Sequence, residues 1–398
     1  MLRFTQSFIK LDGSSLNELK SQRANIMYRR IPQFTLFLLI LQAILLYLHW
    51  FVYQTIIVLL NIESPTAILI LRAVFLFLSF SLMVSSLLVW RYVNVFVSAL
   101  YRFAMVWMGF FFYFFIASFF AWVGFDFIPP FDARVLVITL FALAFIVSVY
   151  GIENAKKVRV TTLTIALPHL PGAWKKRSAV FVSDTHLGQI RGAKFAQHVV
   201  AIIRNLHPDI VLIGGDVYDG VATDVAKVTE PFSRLRPPLG VYYVTGNHDE
   251  FRNVEEYIRA LKGAGVHVLM NQMVMIDGLQ LVGVDYRDTE LKKPYREVMA
   301  GIKIDPRKPS ILLRHVPNFI KVAKEAGVSL QLSGHTHYGQ VFPLMLLTSW
   351  IFKGYGYGLK AKGNTQVYTS SGVGTWGPPL RIGTKAEIVK MTFTNATR

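Results

Sequence analysis

Four long stretches without a charged side chain dominate the first 150 residues. No Lys, Arg, Asp or Glu lies between Arg30 and Glu63, a run of 32 residues, and further runs cover Ala73–Trp90, Phe103–Phe125 and Val135–Ile152. A helix crossing a bilayer needs about 17–25 predominantly apolar residues. The runs therefore predict four transmembrane helices, the first with length to spare. Pro65 and the pair Pro129 and Pro130 fall in the short connections, where helices must end anyway. Four buried core helices in succession is the weaker alternative. The expected division is an N-terminal tail over 1–31, a membrane domain over 32–152 and a further domain over 153–398.

Composition agrees. With 53% hydrophobic and only 17% charged residues, the 398-residue chain has a mean hydropathy of +0.41. That excludes global disorder, which requires few apolar residues. The absence of cysteine excludes disulfides, thiolate metal sites and a cysteine nucleophile. A net charge of +18 calls for an anionic partner, such as phospholipid or a phosphorylated substrate.

Part of that charge reports topology. Arg3, Lys10, Lys20, Arg23, Arg29, Arg30, Arg91, Arg102, Lys156, Lys157 and Arg159 flank the spans on one side, and only Arg72 and Arg134 on the other. The excess of Lys and Arg marks the cytoplasmic side. The N-terminus and, after four spans, the C-terminal domain are thus expected in the cytoplasm, close to the membrane. A twin-arginine export signal at Arg29 and Arg30 is the competing reading, but three more spans follow. Within the spans, His49 beside Trp50 and the Phe-rich run Phe110–Phe120 read as packing or interfacial residues.

From about residue 157 the pattern changes to short β-rich runs: Val158–Ile165, Ala179–Ser183, Ile210–Ile213, Val241–Thr245, Leu279–Val284, Ile311–Arg314 and Leu330–Ser333. Helical patterns such as Phe195, Val199, Ile202, Ile203 and Leu206 lie between them. Alternation of this kind predicts an α/β domain, in which chemistry collects at the carboxyl ends of strands. Five strand ends deliver polar residues there: Asp184-Thr185-His186, Gly215-Asp216 through Asp219, Gly246-Asn247-His248-Asp249, His315, and Gly334-His335-Thr336-His337. Carboxylate, amide and imidazole without thiolate suit Mn, Fe or Zn. The number of ligands suffices for two metals sharing a carboxylate, a device that generates hydroxide at neutral pH and clamps a phosphoryl group. Asp-x-His and His-x-His are expected on extended backbone, with both members of each pair on one side. His169, His198, His207 and His267 fall outside the pattern and read as structural.

These motifs resemble, complete and in order, those of the calcineurin-like metallophosphoesterase superfamily. The likeness covers about Lys157 to Phe393 and none of the spans. Within it the chain most resembles the bacterial phosphodiesterase group containing YaeI and YkuE, through the start at Ser183-Asp184, the ending at Gln340, and the tail Ser371 to Gly374 with Pro378, Pro379 and Arg381. The resemblance implies a β-sandwich flanked by helices with the site along one edge. It further implies that Asp184, His186 and His337 hold one metal and Asn247, His315 and His335 a second, with Asp216 bridging. His248 would act on the phosphate or the leaving oxygen, and Asp219 would orient His248. The implied cofactors are two divalent or trivalent ions, manganese favoured. Tyr338 departs from the group's usual Gly, so its ring is expected either to narrow the mouth and touch substrate or simply to pack.

The apolar run Pro343–Phe352, followed by Lys353, reads most simply as a buried strand or helix; a membrane-interface segment that grips an acyl chain is the alternative. The expected function is hydrolysis of a phosphoester or pyrophosphate, on a lipid-linked substrate. Cleavage of UDP-2,3-diacylglucosamine in lipid A assembly is one alternative, and a non-catalytic membrane sensor or scaffold is another. Protein phosphatases carry Arg where this chain has Thr245, and no aromatic-interleaved basic stripe marks a nucleic-acid surface.

Overall fold

A computed structural model describes residues 13–127 and 132–396, with side chains from residue 35 onward. Pro129, Pro130, Arg3 and Lys10 lie outside the described residues, as do the side chains of Lys20, Arg23, Arg29 and Arg30. Four long helices come first: α1 (Gly13–Leu59), α2 (Pro65–Val89), α3 (Val95–Phe127) and α4 (Ala133–Lys156). Each contains a window long and apolar enough to cross a membrane, that of α1 being Thr35–Leu59. Residues 13–31, expected as a tail, continue α1 as helix. Arg102, expected in a loop, lies within α3.

The helices lead into twelve strands among the described residues: β1 (Val158–Leu167), β2 (Ser178–Val182), β3 (Ile210–Ile213), β4 (Val241–Tyr243), β5 (Val266–Val268), β6 (Gln272–Ile276), β7 (Leu279–Gly283), β8 (Ser310–Leu313), β9 (Leu330–Ser333), β10 (Gly358–Lys362), β11 (Thr365–Thr369) and β12 (Ala386–Asn395). They form two mixed six-stranded sheets, ordered β1-β12-β2-β3-β4-β5 and β10-β11-β9-β8-β7-β6. Alternation along the strands builds the layers. Ala179, Phe181, Ile210 and Leu212 of the first sheet meet Leu281, Ile311, Leu313 and Leu332 of the second. Their neighbours Val180, Val182, Val211 and Ile213 face the helix Ala193–Asn205. Leu312 and Val282 face the outer helices of the second sheet. The domain is therefore a β-sandwich covered by helices on both faces.

In each sheet the central strands run parallel, β2-β3-β4 in one and β7-β8-β9 in the other. Their carboxyl ends consequently share one edge, where flanking loops can converge.

By packing, the described residues form two compact units that divide after residue 83. The first holds α1 and most of α2. There His49 is buried, with Nδ1 2.7 Å from the Leu45 carbonyl, and it packs against Phe75. In the second, α3 and α4 pack through Phe110 on Phe145 and Phe114 on Phe141. The same unit joins α3 and α4 to the sandwich. Arg102 Nε donates to the Gln189 carbonyl at 2.7 Å, Asn154 Nδ2 to the Arg381 carbonyl at 2.8 Å, and Tyr113 Oη to the Phe342 carbonyl at 2.8 Å. Gly109 of α3 and Gly151 of α4 leave no room for a Cβ against Leu380 and Ile382, so glycine permits this close approach.

Candidate metal centre

The five polar loops follow β2, β3 and β4 of one sheet and β8 and β9 of the other, and they meet at the shared edge. Two bonds stitch the sheets together there: His335 N donates to Asp184 Oδ1 at 2.9 Å, and His315 Nδ1 lies 2.8 Å from the Gly214 carbonyl. Both Asp-x-His and His-x-His depart from the expected extended backbone. Asp184, His186, Asp216, His335 and His337 all have φ between 47° and 71°. Left-handed backbone at non-glycine residues is costly and concentrates at functional sites. It turns successive side chains inward, and it sends His335 and His337 to opposite ends of the site.

At one end, His186 Nε2 and His337 Nε2 face each other at 3.0 Å, with Asp184 Oδ1 3.6 Å from His337 Nε2. At the other, Asn247 Oδ1 lies 2.8 Å from His335 Nδ1 and 3.2 Å from His315 Nε2. Asp216 stands between them, its Oδ2 3.2 Å from His315 Nε2 and 3.7 Å from His186 Nε2. Three groups of ligand atoms close enough to hold an ion result: Asp184, His186 and His337; His186, Asp216 and His248; Asp216, His315 and His335.

The residues fit cations. Two histidine nitrogens point at one another in a buried place, and Asp184 Oδ2 is buried without a hydrogen bond. The unpartnered carboxylate oxygen is costly for the bare protein and is relieved by an ion, which the two histidine nitrogens can share. Electrostatics agree. Burial raises the Asp184 carboxyl above its ordinary range, despite the attraction of His315. Burial also works against Asp216, but His315 and His186 outweigh it and hold that carboxyl low. Burial and then His315 push His335 down to about 3, which leaves its nitrogens free to ligate.

The structure also redraws the surroundings. The Asp219 carboxylate is nearer His186 Nδ1, at 3.0 Å, than His248 Nδ1, at 3.7 Å. The Asp219 backbone carbonyl is what holds His248 Nδ1, at 3.2 Å. Asp219 thus positions a candidate ligand with its side chain, the arrangement that fixes tautomers at metal sites. The His248 ring sits between Phe251 and Trp376 and borders a cavity of about 350 Å³. Besides the candidate ligands, that cavity is lined by Leu344, Leu347, Ile351, Phe352 and Trp376, with Thr336, Gly339, Gln340 and Thr348. Tyr338 is not among its lining residues. Its ring stacks on Tyr357 with centroids 4.6 Å apart, so packing accounts for it. His169, His198, His207 and His267 also stand outside the cavity lining.

Two residues to which the sequence gave no role hold the loops. The buried Asp249 carboxylate accepts from the backbone nitrogens of Asp216, Tyr218 and Gly246 at 2.8–3.0 Å. The buried guanidinium of Arg381 donates to the carbonyls of Ser371, Gly372, Gly374 and Lys385 and lies 3.3 Å from His337 Nδ1. Asp249 stood within a motif already of interest and Arg381, 44 residues beyond His337, within the tail that carries the resemblance, but no pattern tied either side chain to these loops.

The family model of the calcineurin-like phosphoesterases matches residues 178–339, which include all seven candidate ligands and His248. A transmembrane protein with metallophosphoesterase domain from Danio rerio is 32% identical over 272 residues, covering 63% of this chain and 61% of the relative. An uncharacterized metallophosphoesterase of Helicobacter pylori strain J99 is 36% identical over 218 residues, covering 54% and 59%. One from Aquifex aeolicus is 30% identical over 258 residues, covering 63% of this chain and 97% of the relative. The chain spans about three-fifths of the length of the first two.

Proposed function

We propose that this chain, which belongs to the calcineurin-like metallophosphoesterase family, is a membrane-anchored phosphodiesterase acting on a lipid-linked phosphoester. The observation that carries the reading is one cavity lined both by imidazoles, the Asp216 carboxylate and the Asn247 amide and by the apolar Leu344, Leu347, Ile351, Phe352 and Trp376. Such a wall suits the acyl-bearing side of a lipid.

Asp184, His186 and His337 would hold one ion and Asn247, His315 and His335 another, with Asp216 shared; manganese is the favoured metal. Bound there, the ions supply Lewis acidity and a nucleophilic water at neutral pH. Asp219 fixes the ring of His186, and its carbonyl accepts from His248 Nδ1, so that the doubly protonated imidazolium of His248 can donate from Nε2 to the leaving oxygen. Phe251 and Trp376 keep that ring in place and limit water around it. Residues 32–152 serve as the anchor and 153–398 as the catalytic domain. The domain lies on the cytoplasmic face of a bacterial inner membrane, a reading whose sidedness the Lys and Arg count supports. The same apolar wall also suits a UDP-2,3-diacylglucosamine pyrophosphate.

Turnover of bis-p-nitrophenyl phosphate and of p-nitrophenyl hexadecyl phosphate, two diesters with one leaving group, tests the reading. Phe352→Ser is expected to lower only the second. Equal rates on both substrates, unchanged by the substitution, would sink the lipid assignment. For topology, a cysteine at Glu63 is expected to react with an impermeant maleimide from outside intact cells and one at Arg307 to be protected; the reverse pattern contradicts the orientation.

A further inference from the structure

The helix Leu344–Ile351, sequence Leu-Met-Leu-Leu-Thr-Ser-Trp-Ile, carries no charge and has apolar residues on both faces. Leu344, Leu347, Thr348 and Ile351, at spacings of three and four, turn toward the metal cavity. On the opposite face Leu346 and Trp350 are 65% and 77% exposed, and Phe342 just before the helix is exposed too. A helix that is apolar on both faces belongs inside a protein or inside a bilayer, and among the described residues none covers the outer face of this one.

Its depth follows from α3. That helix has 33 residues, about 50 Å, whereas the hydrocarbon core is about 30 Å thick, or roughly 20 helical residues. Every such window along Val95–Phe127 includes Tyr113. The Tyr113 hydroxyl donates to the carbonyl of Phe342, two residues before the helix, so this segment is tied to a point of α3 that lies within the bilayer. Lys353, exposed at the other end of the helix, gives it the aromatic and basic edge typical of membrane interfaces.

We infer that Leu344–Ile351 is a second membrane contact, distinct from the four spans. Its outer face of Leu346 and Trp350 sits in the acyl region of the leaflet, while its inner face walls the metal cavity. The mouth of the site then opens at headgroup level, and a phosphoester lipid enters sideways without leaving the leaflet. The lateral entry rests on the phosphodiesterase reading; the insertion itself does not.

Because the chain has no cysteine, single cysteines can be placed in the full-length protein without background. Leu346→Cys, Trp350→Cys and, as an exposed control, Arg307→Cys are labelled with the fluorophore NBD in phosphatidylcholine and phosphatidylglycerol vesicles, with and without nitroxide-labelled lipid. The expected result is blue-shifted emission quenched several-fold by nitroxide lipid at 346 and 350, and water-like, unquenched emission at 307. Emission at 346 and 350 matching that at 307 overturns the inference, whatever the activity. A second arm uses the double variant Leu346→Ser with Trp350→Ser. Turnover of vesicle-borne p-nitrophenyl hexadecyl phosphate is expected to fall about tenfold, with bis-p-nitrophenyl phosphate turnover unchanged. Equal loss on both substrates overturns lateral entry. If the parent protein hydrolyses neither, the phosphodiesterase reading fails, and the label still decides insertion.

Discussion

Replacing Arg381 by Met is expected to cost more than a lost charge. The guanidinium satisfies four backbone carbonyls, two of which have a second donor: Gly372 O accepts from Glu387 N, and Lys385 O from Ser371 Oγ. The carbonyls of Ser371 and Gly374 have no other hydrogen-bond donor among the described residues, and both residues are buried. Leaving two buried acceptors unsatisfied costs about 1–3 kcal/mol each, together about 2–6 kcal/mol. For a domain of this size a kcal/mol shifts Tm by about 2–4 °C, so a fall of about 10 °C is expected. The loop Ser371–Gly374 also covers the first strand end, Val373 N donating to Ser183 O and Gly374 N to Asp184 O. Metal retention should therefore fall along with Tm. The assay is thermal unfolding of the full chain in detergent by near-ultraviolet circular dichroism, with metal content measured in parallel. Arg381→Lys, which keeps the charge but not the fork of donors, should recover only part of the loss. An Arg381→Met protein within about 2 °C of the parent, with its metal intact, would refute the reasoning.

Three further outcomes follow from the site. His248→Ala should lower turnover of an alkyl phosphodiester by about 10²–10⁴-fold and affect a p-nitrophenyl ester far less, because that leaving group needs no proton; steady-state rates on matched esters check this. Asp216→Asn should reduce bound metal at both subsites, whereas Asn247→Ala should reduce only one, as read by metal content per chain after dialysis. Gly109→Leu should destabilise the chain by about 1–3 kcal/mol through overlap with Leu380, measured by unfolding in detergent.

Much of this was legible because parallel strands buried on both faces read as unbroken apolar runs. Ile210–Ile213 is wholly buried and ends in Gly214, so the polar loop after it stood out. The same contrast marked the ends of β2, β8 and β9. It failed for β5 and β10, short strands with exposed residues, and for the parallel pairing of β1 with β12, which joins residues more than 200 positions apart. The ligand types were readable from the motifs, but their backbone was not. Left-handed turns at Asp184 and His186 leave no compositional trace, since neither residue is glycine. The bond from Asp219 to His186 depends on those turns, so it was hidden with them. Leu344–Ile351 defeated periodicity altogether, because a helix apolar on both faces has no pattern to detect. A buried strand or helix was the simpler reading of that run until its exposure was seen.

The central claim is that the seven clustered residues make this chain a metal-dependent phosphodiesterase. Its most direct test is hydrolysis of bis-p-nitrophenyl phosphate by the purified full-length protein, stripped with chelator and then titrated with Mn. The account predicts no turnover after stripping, recovery as two ions bind per chain, and loss of that recovery in Asp216→Asn. Turnover indifferent to chelator, or Mn-dependent turnover preserved in Asp216→Asn, would contradict it.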